Sequence, residues 1–167
     1  LLLPSATFAR SEKRPNRTKL IRDYVREGGG LIMVGGYLTF SGVDAKGKWH
    51  DTPVQEVLPV EVLTVDDRME HCEGVTPKAV KPHKILEGIP EEFPDVLGYN
   101  KTIAREGAEV LAEVEGDPFI AAMECEKGRS AVVTTDCAPH WAPVEFCEWE
   151  HYGLLWKNMA DWVTKSE

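Results

Sequence analysis

The stretch Gly28-Gly29-Gly30-Leu31-Ile32-Met33-Val34-Gly35-Gly36-Tyr37 decides how the rest of this chain is read. Three glycines end a helix, four apolar residues make a strand, and two more glycines open a tight turn. A short apolar run bounded by glycines suits a central parallel strand covered on both faces. In open α/β sheets, ligands bind just beyond the carboxyl ends of such strands. In several enzyme families the turn at that point is a nucleophile elbow, which holds a Cys or Ser in a strained, exposed position. Here it carries Gly35 and Gly36, which have no side chain to react. Their backbone amides are expected to lie free at the strand end, available to an anion or oxyanion. The competing reading is that glycine only permits a tight turn. Gly28, Gly29 and Gly30 precede the strand instead of following it, so a dinucleotide fingerprint does not fit.

Working outward, residues 16–27 predict a helix, because Leu20, Ile21, Tyr24 and Val25 fall on one face and Gly28 sits just past its end. Helix and strand together make an αβ unit of a layered α/β protein. Residues 5–15 read as loop, and 39–50 as an ordered surface loop. Thr52-Pro53 starts a short helix, with Thr as cap and Pro in the first turn. Strands are expected at 60–65, 75–80, 96–100 and 109–115, with 66–74 a charged turn and 83–90 a single helical turn. Residues 119–125 and 130–135 form a hairpin across Glu126-Lys127-Gly128-Arg129. The middle of the chain is therefore antiparallel in part. Residues 148–165 form the last helix, where Trp149, Tyr152, Leu155, Trp156, Met159, Trp162 and Val163 share an apolar face, read as core and not as a binding platform. No repeat, low-complexity tract or linker interrupts the chain, so residues 1–167 read as a single domain.

At 167 residues, 43% hydrophobic and 28% charged, the chain can bury a real core. Its net charge of -9 argues against nucleic acid or an anionic membrane surface as partner. No apolar run approaches the roughly 20 residues of a membrane helix, and no signal peptide is read. Cys72, Cys125, Cys137 and Cys147 lack the density and spacing of a disulfide scaffold, which fits free thiols and a cytoplasmic location. The chain opens Leu1-Leu2-Leu3-Pro4 without an initiator Met. The expectation is a piece lacking its amino-terminal portion, with Leu1 to Leu3 the stub of an earlier strand or a loop leaving one.

Chemistry is expected in Thr134-Thr135-Asp136-Cys137-Ala138-Pro139-His140-Trp141, which leaves a strand end for a Pro-broken loop. Asp136, Cys137 and His140 place a carboxylate, a thiol and an imidazole within a few residues. A cysteine nucleophile needs such an imidazole, because the thiolate is the attacking species. Glu145, Glu148 or Glu150 could orient the His. The plainer reading is a small buried Cys137 beside a His140 bonded to a backbone carbonyl. A metal reading would join Cys137 and His140 to His50, His83 or His151, although no second close Cys/His pair appears.

Residues 28–37 with Thr39-Phe40-Ser41-Gly42, then Thr52-Pro53-Val54 and Glu56-Val57-Leu58-Pro59-Val60, resemble a bacterial family of glutamine amidotransferase-like proteins. Leu97-Gly98-Tyr99-Asn100, Gly128-Arg129, Asp136-Cys137-Ala138-Pro139-His140-Trp141 and Trp149-Glu150 carry the likeness through nearly the whole chain. The resemblance implies a class I glutamine amidotransferase-like fold, a Rossmann-like or flavodoxin-like α/β layering related to the trehalose-utilisation proteins, with members about a third longer at the amino end. It also implies a Cys on the elbow and a His and Glu after a late strand. The elbow corresponds to Val34-Gly35-Gly36-Tyr37, without the Cys. His140 stands where the late His is expected, outside a His-Pro-Glu run. The family name then describes descent of fold, and fold does not imply function.

Three readings result. The first is a cytosolic amidotransferase-like protein without the elbow nucleophile, binding a small molecule or partner protein through Gly35, Gly36, Tyr37, Asp136 and Trp141. The second is an enzyme with Cys137 as nucleophile, His140 as base and Glu150 (or Glu148) as orienter. The third is an oligomeric assembly module using exposed aromatics such as Trp49 or Trp141. No cofactor, metal, nucleic acid or membrane enters any of them.

Overall fold

A computed structural model describes residues 15–166. The run Leu1 to Leu3 and nearly all of the loop expected over 5–15 lie outside the described residues. Helix α1 (Arg17–Arg26) starts at Asn16, whose Oδ1 accepts the Thr18 N–H at 3.1 Å. Asn is among the best residues for that capping role. The helix turns back through Gly28 and Gly29 into strand β1 (Gly30–Val34).

Strand β1 pairs in parallel with β9 (Gly128–Val133), with Ile32 opposite Ala131. Antiparallel pairing continues the sheet through β8 (Asp117–Cys125), β7 (Glu109–Val114) and the two-residue β4 (Lys78–Ala79). The sheet order is β1-β9-β8-β7-β4. Among the described residues β1 is therefore an edge strand, not the expected central one. Its apolar run reports two covered faces but says nothing of how many neighbours it has.

Helix α3 (Tyr152–Thr164) covers one face, where Leu155, Met159, Trp162 and Val163 pack with Ile32, Ala131 and Val133. On the other face Met33, Ala121 and Val132 meet Phe40, Trp49, Leu58 and Val60. Val25 of α1 packs nearby with Val57 and Cys125. Helix, mixed sheet and a second apolar layer make the α/β architecture, with the antiparallel section that the middle of the chain predicts.

Two small antiparallel pairs flank the main sheet: β2 (Val60–Val62) with β6 (Thr102–Ala104), and β3 (Arg68–Val75) with β5 (Val96–Asn100). Residues 66–74, read as a charged turn, are thus mostly strand. The buried partner β5 supplies the apolar side of the pair, so β3 can keep charges on its exposed positions. The strand expected over 75–80 shrinks to β4. The turn at 83–90 is a 3-10 turn at Lys84–Leu86, capped by the His83 ring, which accepts the Ile85 N–H at 3.1 Å. The helix after Thr52-Pro53 is likewise a 3-10 turn, Gln55–Val57. The last helix begins at Tyr152, because residues 144–147 form a separate short helix, α2 (Val144–Cys147). No helix among the described residues is long and apolar enough to cross a membrane.

One consequence of the topology matters for function. Strands β1 and β9 run side by side and end together, so the turn at 35–37 faces the loop at 134–141. The carboxyl end of β5 closes the space from a third direction.

Candidate functional site

Both amides at the end of β1 are already engaged. Gly35 N donates to Val133 O at 2.8 Å. Gly36 N donates to Asn100 Oδ1 at 2.8 Å, and Asn100 Nδ2 returns a bond to Gly36 O at 3.2 Å. The expectation of free amides for an oxyanion is corrected accordingly. The sequence displays the glycines, but not the buried asparagine that a distant strand brings to them.

The glycines are also sterically required. A Cβ on Gly35 would drive into the Thr134 carbonyl oxygen, and one on Gly36 would lie 2.7 Å from Asp136 Oδ1. Gly36 has φ 138°, which side-chain-bearing residues rarely adopt. Gly35 and Gly36 are both buried, with Asp136 over Gly36, so they do not line an open floor.

Behind the turn lies a network that the sequence reading missed. Asp67, only 1% exposed, accepts Ser41 N at 2.7 Å, Gly42 N at 2.8 Å and Asn100 Nδ2 at 2.8 Å. Burial pushes its carboxyl above the ordinary range, and those same three donors pull the other way. Buried polar groups persist where they are satisfied in this way, and here the network fixes the turn and the 39–42 loop together. The available signal was an Asp and an Asn at strand ends beside a glycine turn, with nothing in the sequence to pair them.

The facing wall leaves β9 through Thr134 and Thr135, both fully buried, whose hydroxyls donate to Pro118 O at 3.1 Å and Gly98 O at 2.8 Å. Asp136 follows. Its Oδ2 accepts His140 Nδ1 at 2.7 Å and the Trp141 N–H at 3.0 Å. With Nδ1 donating to the carboxylate, Nε2 of the neutral ring is the acceptor, on a side chain that is half exposed.

Tyr37 stands against this pair, its ring edge-on to His140 at 4.7 Å and tilted against Trp141 at 5.5 Å. The Arg68 guanidinium lies 4.8 Å over the Tyr37 ring, a cation–π geometry. Tyr37 OH donates to Glu70 Oε1 at 2.6 Å. That bond raises the tyrosine's pKa and lowers the glutamate's. Asp66 grips Arg68 through two bonds, at 3.0 and 2.9 Å, and is held well below the usual carboxylate range by it. The rim therefore carries three carboxylates, Asp66, Glu70 and Asp136, against one guanidinium.

Trp141 is 3% exposed and Trp49 is 4% exposed. Neither is a surface aromatic, which corrects their expected use as assembly contacts. Trp141 is instead a wall behind Tyr37 and His140.

Cys137 is exposed, and its carbonyl accepts Tyr152 OH at 2.7 Å. Among the described residues no hydrogen bond joins its thiol to His140. Its charge is felt instead by Cys147 and Tyr152, whose pKa values are raised chiefly by burial and further by Cys137. Glu150 points to solvent beside His151, 3.6 Å away. The partner that orients His140 is Asp136, not Glu150 or Glu148: four residues of separation across a turn let the carboxylate reach back to the ring. The metal reading is not assembled either. His50 bonds Val62 O at 2.6 Å, His83 caps a turn and His151 pairs with Glu150. Among the described residues no three His, Cys, Asp or Glu side chains converge as a metal site.

Comparison with known proteins gives three findings. Residues 1–165 match the model of the GATase1-like family, described as "Putative glutamine amidotransferase". A cytoplasmic protein from Salmonella typhimurium LT2 is 43% identical with a TM-score of 0.86; the match covers 89% of this chain and 61% of that one. A second cytoplasmic protein from Salmonella typhimurium is 40% identical with a TM-score of 0.87, covering 94% of this chain and 64% of that one. This chain thus spans a little over three fifths of the length of these relatives. A cold-adapted β-galactosidase from Rahnella sp. R3 shares the fold alone, at 14% identity and a TM-score of 0.60 over 89% of this chain and 21% of that one. No curated protein matches the sequence.

Proposed function

This chain belongs to the glutamine amidotransferase-like family, and on that premise we propose that it binds a small molecule at its strand ends without the family's elbow nucleophile. One observation carries the reading. The Asp136–His140 pair faces Tyr37, Arg68 and Glu70 across a turn whose two glycines are closed to any side chain. The reactive groups at this end of the sheet therefore stand on the loop and the rim. His140 presents an acceptor nitrogen, and the excess of carboxylates over Arg68 favours a ligand with an amine or hydroxyl donor over an anion.

The reading extends to a single Rossmann-like, flavodoxin-like domain acting in the cytoplasm, as the location of the two Salmonella relatives suggests. Titrating the full chain with ethanolamine, and separately with acetate, while recording NMR spectra tests the ligand class. Shifts at His140 and Tyr37 with the amine and not with acetate are expected. Shifts with acetate alone would reverse the charge argument.

A second reading keeps Cys137 as nucleophile of a hydrolase or transferase, with His140 as base and Glu150 near the loop. Exposure of the Cys137 thiol favours it. It requires that thiol to swing onto the His140 ring, and it predicts turnover that Cys137→Ala abolishes.

A further inference from the structure

Strand β1 has β9 on one side, and among the described residues no strand pairs with its other edge. Arg129 N donates to Gly29 O at 3.3 Å and Gly35 N donates to Val133 O at 2.8 Å, so the odd-numbered peptide groups turn toward β9. Successive residues of a strand alternate sides, which leaves the N–H and C=O of Ile32 and Val34 facing the open edge. An apolar unpaired edge is a template for a further strand.

That edge is the floor of a groove of about 1040 Å³ walled by α1 and α3. Leu20, Ile21 and Tyr24 stand on one side and Trp156, Ala160 and Val163 on the other. Leu20 and Tyr24 are more than half exposed there. No ionised side chain lines the groove, so the occupant is apolar, and the edge asks for an extended backbone.

The chain itself holds a segment of that kind. A short glycine connection makes α1 run back against β1, so α1 begins near the carboxyl end of β1. Residues 1–14 lead into that point and open with Leu1-Leu2-Leu3. Parallel strands need a crossover of a dozen or more residues, usually a helix, and α1 is in position to be one. Residues 4–14, at up to about 3.3 Å each, reach from the groove to Pro15 with length to spare. In a strand, Leu1 and Leu3 would point to one helix and Leu2 to the other.

We propose that Leu1-Leu2-Leu3 forms a further strand parallel to β1, closing the sheet edge and filling the groove between α1 and α3. Amide hydrogen exchange on the full chain, wild type beside Leu2→Asp, tests it. Protection of Ile32 and Val34 is expected in the wild type, with exchange at least roughly tenfold faster in the variant and Val132 of β9 unchanged. Free exchange of Ile32 and Val34 in the wild type overturns the proposal. If the variant loses protection at Val132 as well, the wild type decides alone. Methyl NOEs from Leu1 to Leu3 onto Leu31 or Ile32 support the strand, and their absence overturns it. Protection that rises with protein concentration, alongside dimer in sedimentation, assigns the edge to a second copy and also overturns it.

Discussion

Gly35 and Asp136 define the site from opposite sides: one must have no side chain, and the other uses both carboxylate oxygens. Gly35→Ala forces a methyl group into the backbone carbonyl of Thr134, and backbone cannot swing aside as a flexible side chain can. Urea denaturation is expected to show a loss of about 1–3 kcal/mol or more; an unchanged midpoint would mean the turn relaxes. The carboxylates behind and beside the turn titrate in opposite senses. Burial raises the pKa of Asp67 in the folded state, so its contribution to stability is full below the ordinary value of about 3.9 and is lost as pH rises through the raised one. Glu70 is lowered by its bond from Tyr37. Its contribution is present above the ordinary value of about 4.3 and is lost as pH falls through the lowered one. Carbon-detected NMR titration checks both, with Asp67 expected above its reference and Glu70 below; the reverse order would refute the hydrogen-bond assignments.

At the level of elements, helix α3 carries the sheet's main apolar face. Met159 and Leu155 are fully buried in that cluster, so Met159→Ala is expected to cost about 2–5 kcal/mol in a denaturant melt. A loss well below this would place the helix face elsewhere. The elements that sequence made legible share one property: their signal is local. The apolar spacing of α1 and α3, the 126–129 hairpin and the run 31–34 each carry their own period. The edge position of β1, the strand at Arg68–Val75 and the pairing of β2 with β6 depend on partners far along the chain. For the same reason Asp136, Cys137 and His140 were legible as one loop, whereas Asp67, Asn100, Arg68 and Glu70 were not. Those four reach the turn only through the β3–β5 pairing. The orienting partner of His140 was misread because Glu148 and Glu150 look adjacent in sequence, while the turn brings Asp136 back to the ring.

Across the whole molecule, a two-faced sheet presents its strand ends to solvent on an acidic protein of net charge -9. Glycine, asparagine and aspartate lock the turn where the family's nucleophile would stand. The opposing loop supplies a carboxylate-held imidazole, and the rim supplies tyrosine, arginine and glutamate. The fold is that of the amidotransferase-like family, while the chemistry at its elbow is closed by named atoms. Ammonia release from L-glutamine, followed for the full chain beside Cys137→Ala, tests that closure most directly. No release above buffer from either protein is predicted. Turnover by the wild-type protein would contradict it, and loss of that turnover in Cys137→Ala would move the nucleophile to the loop.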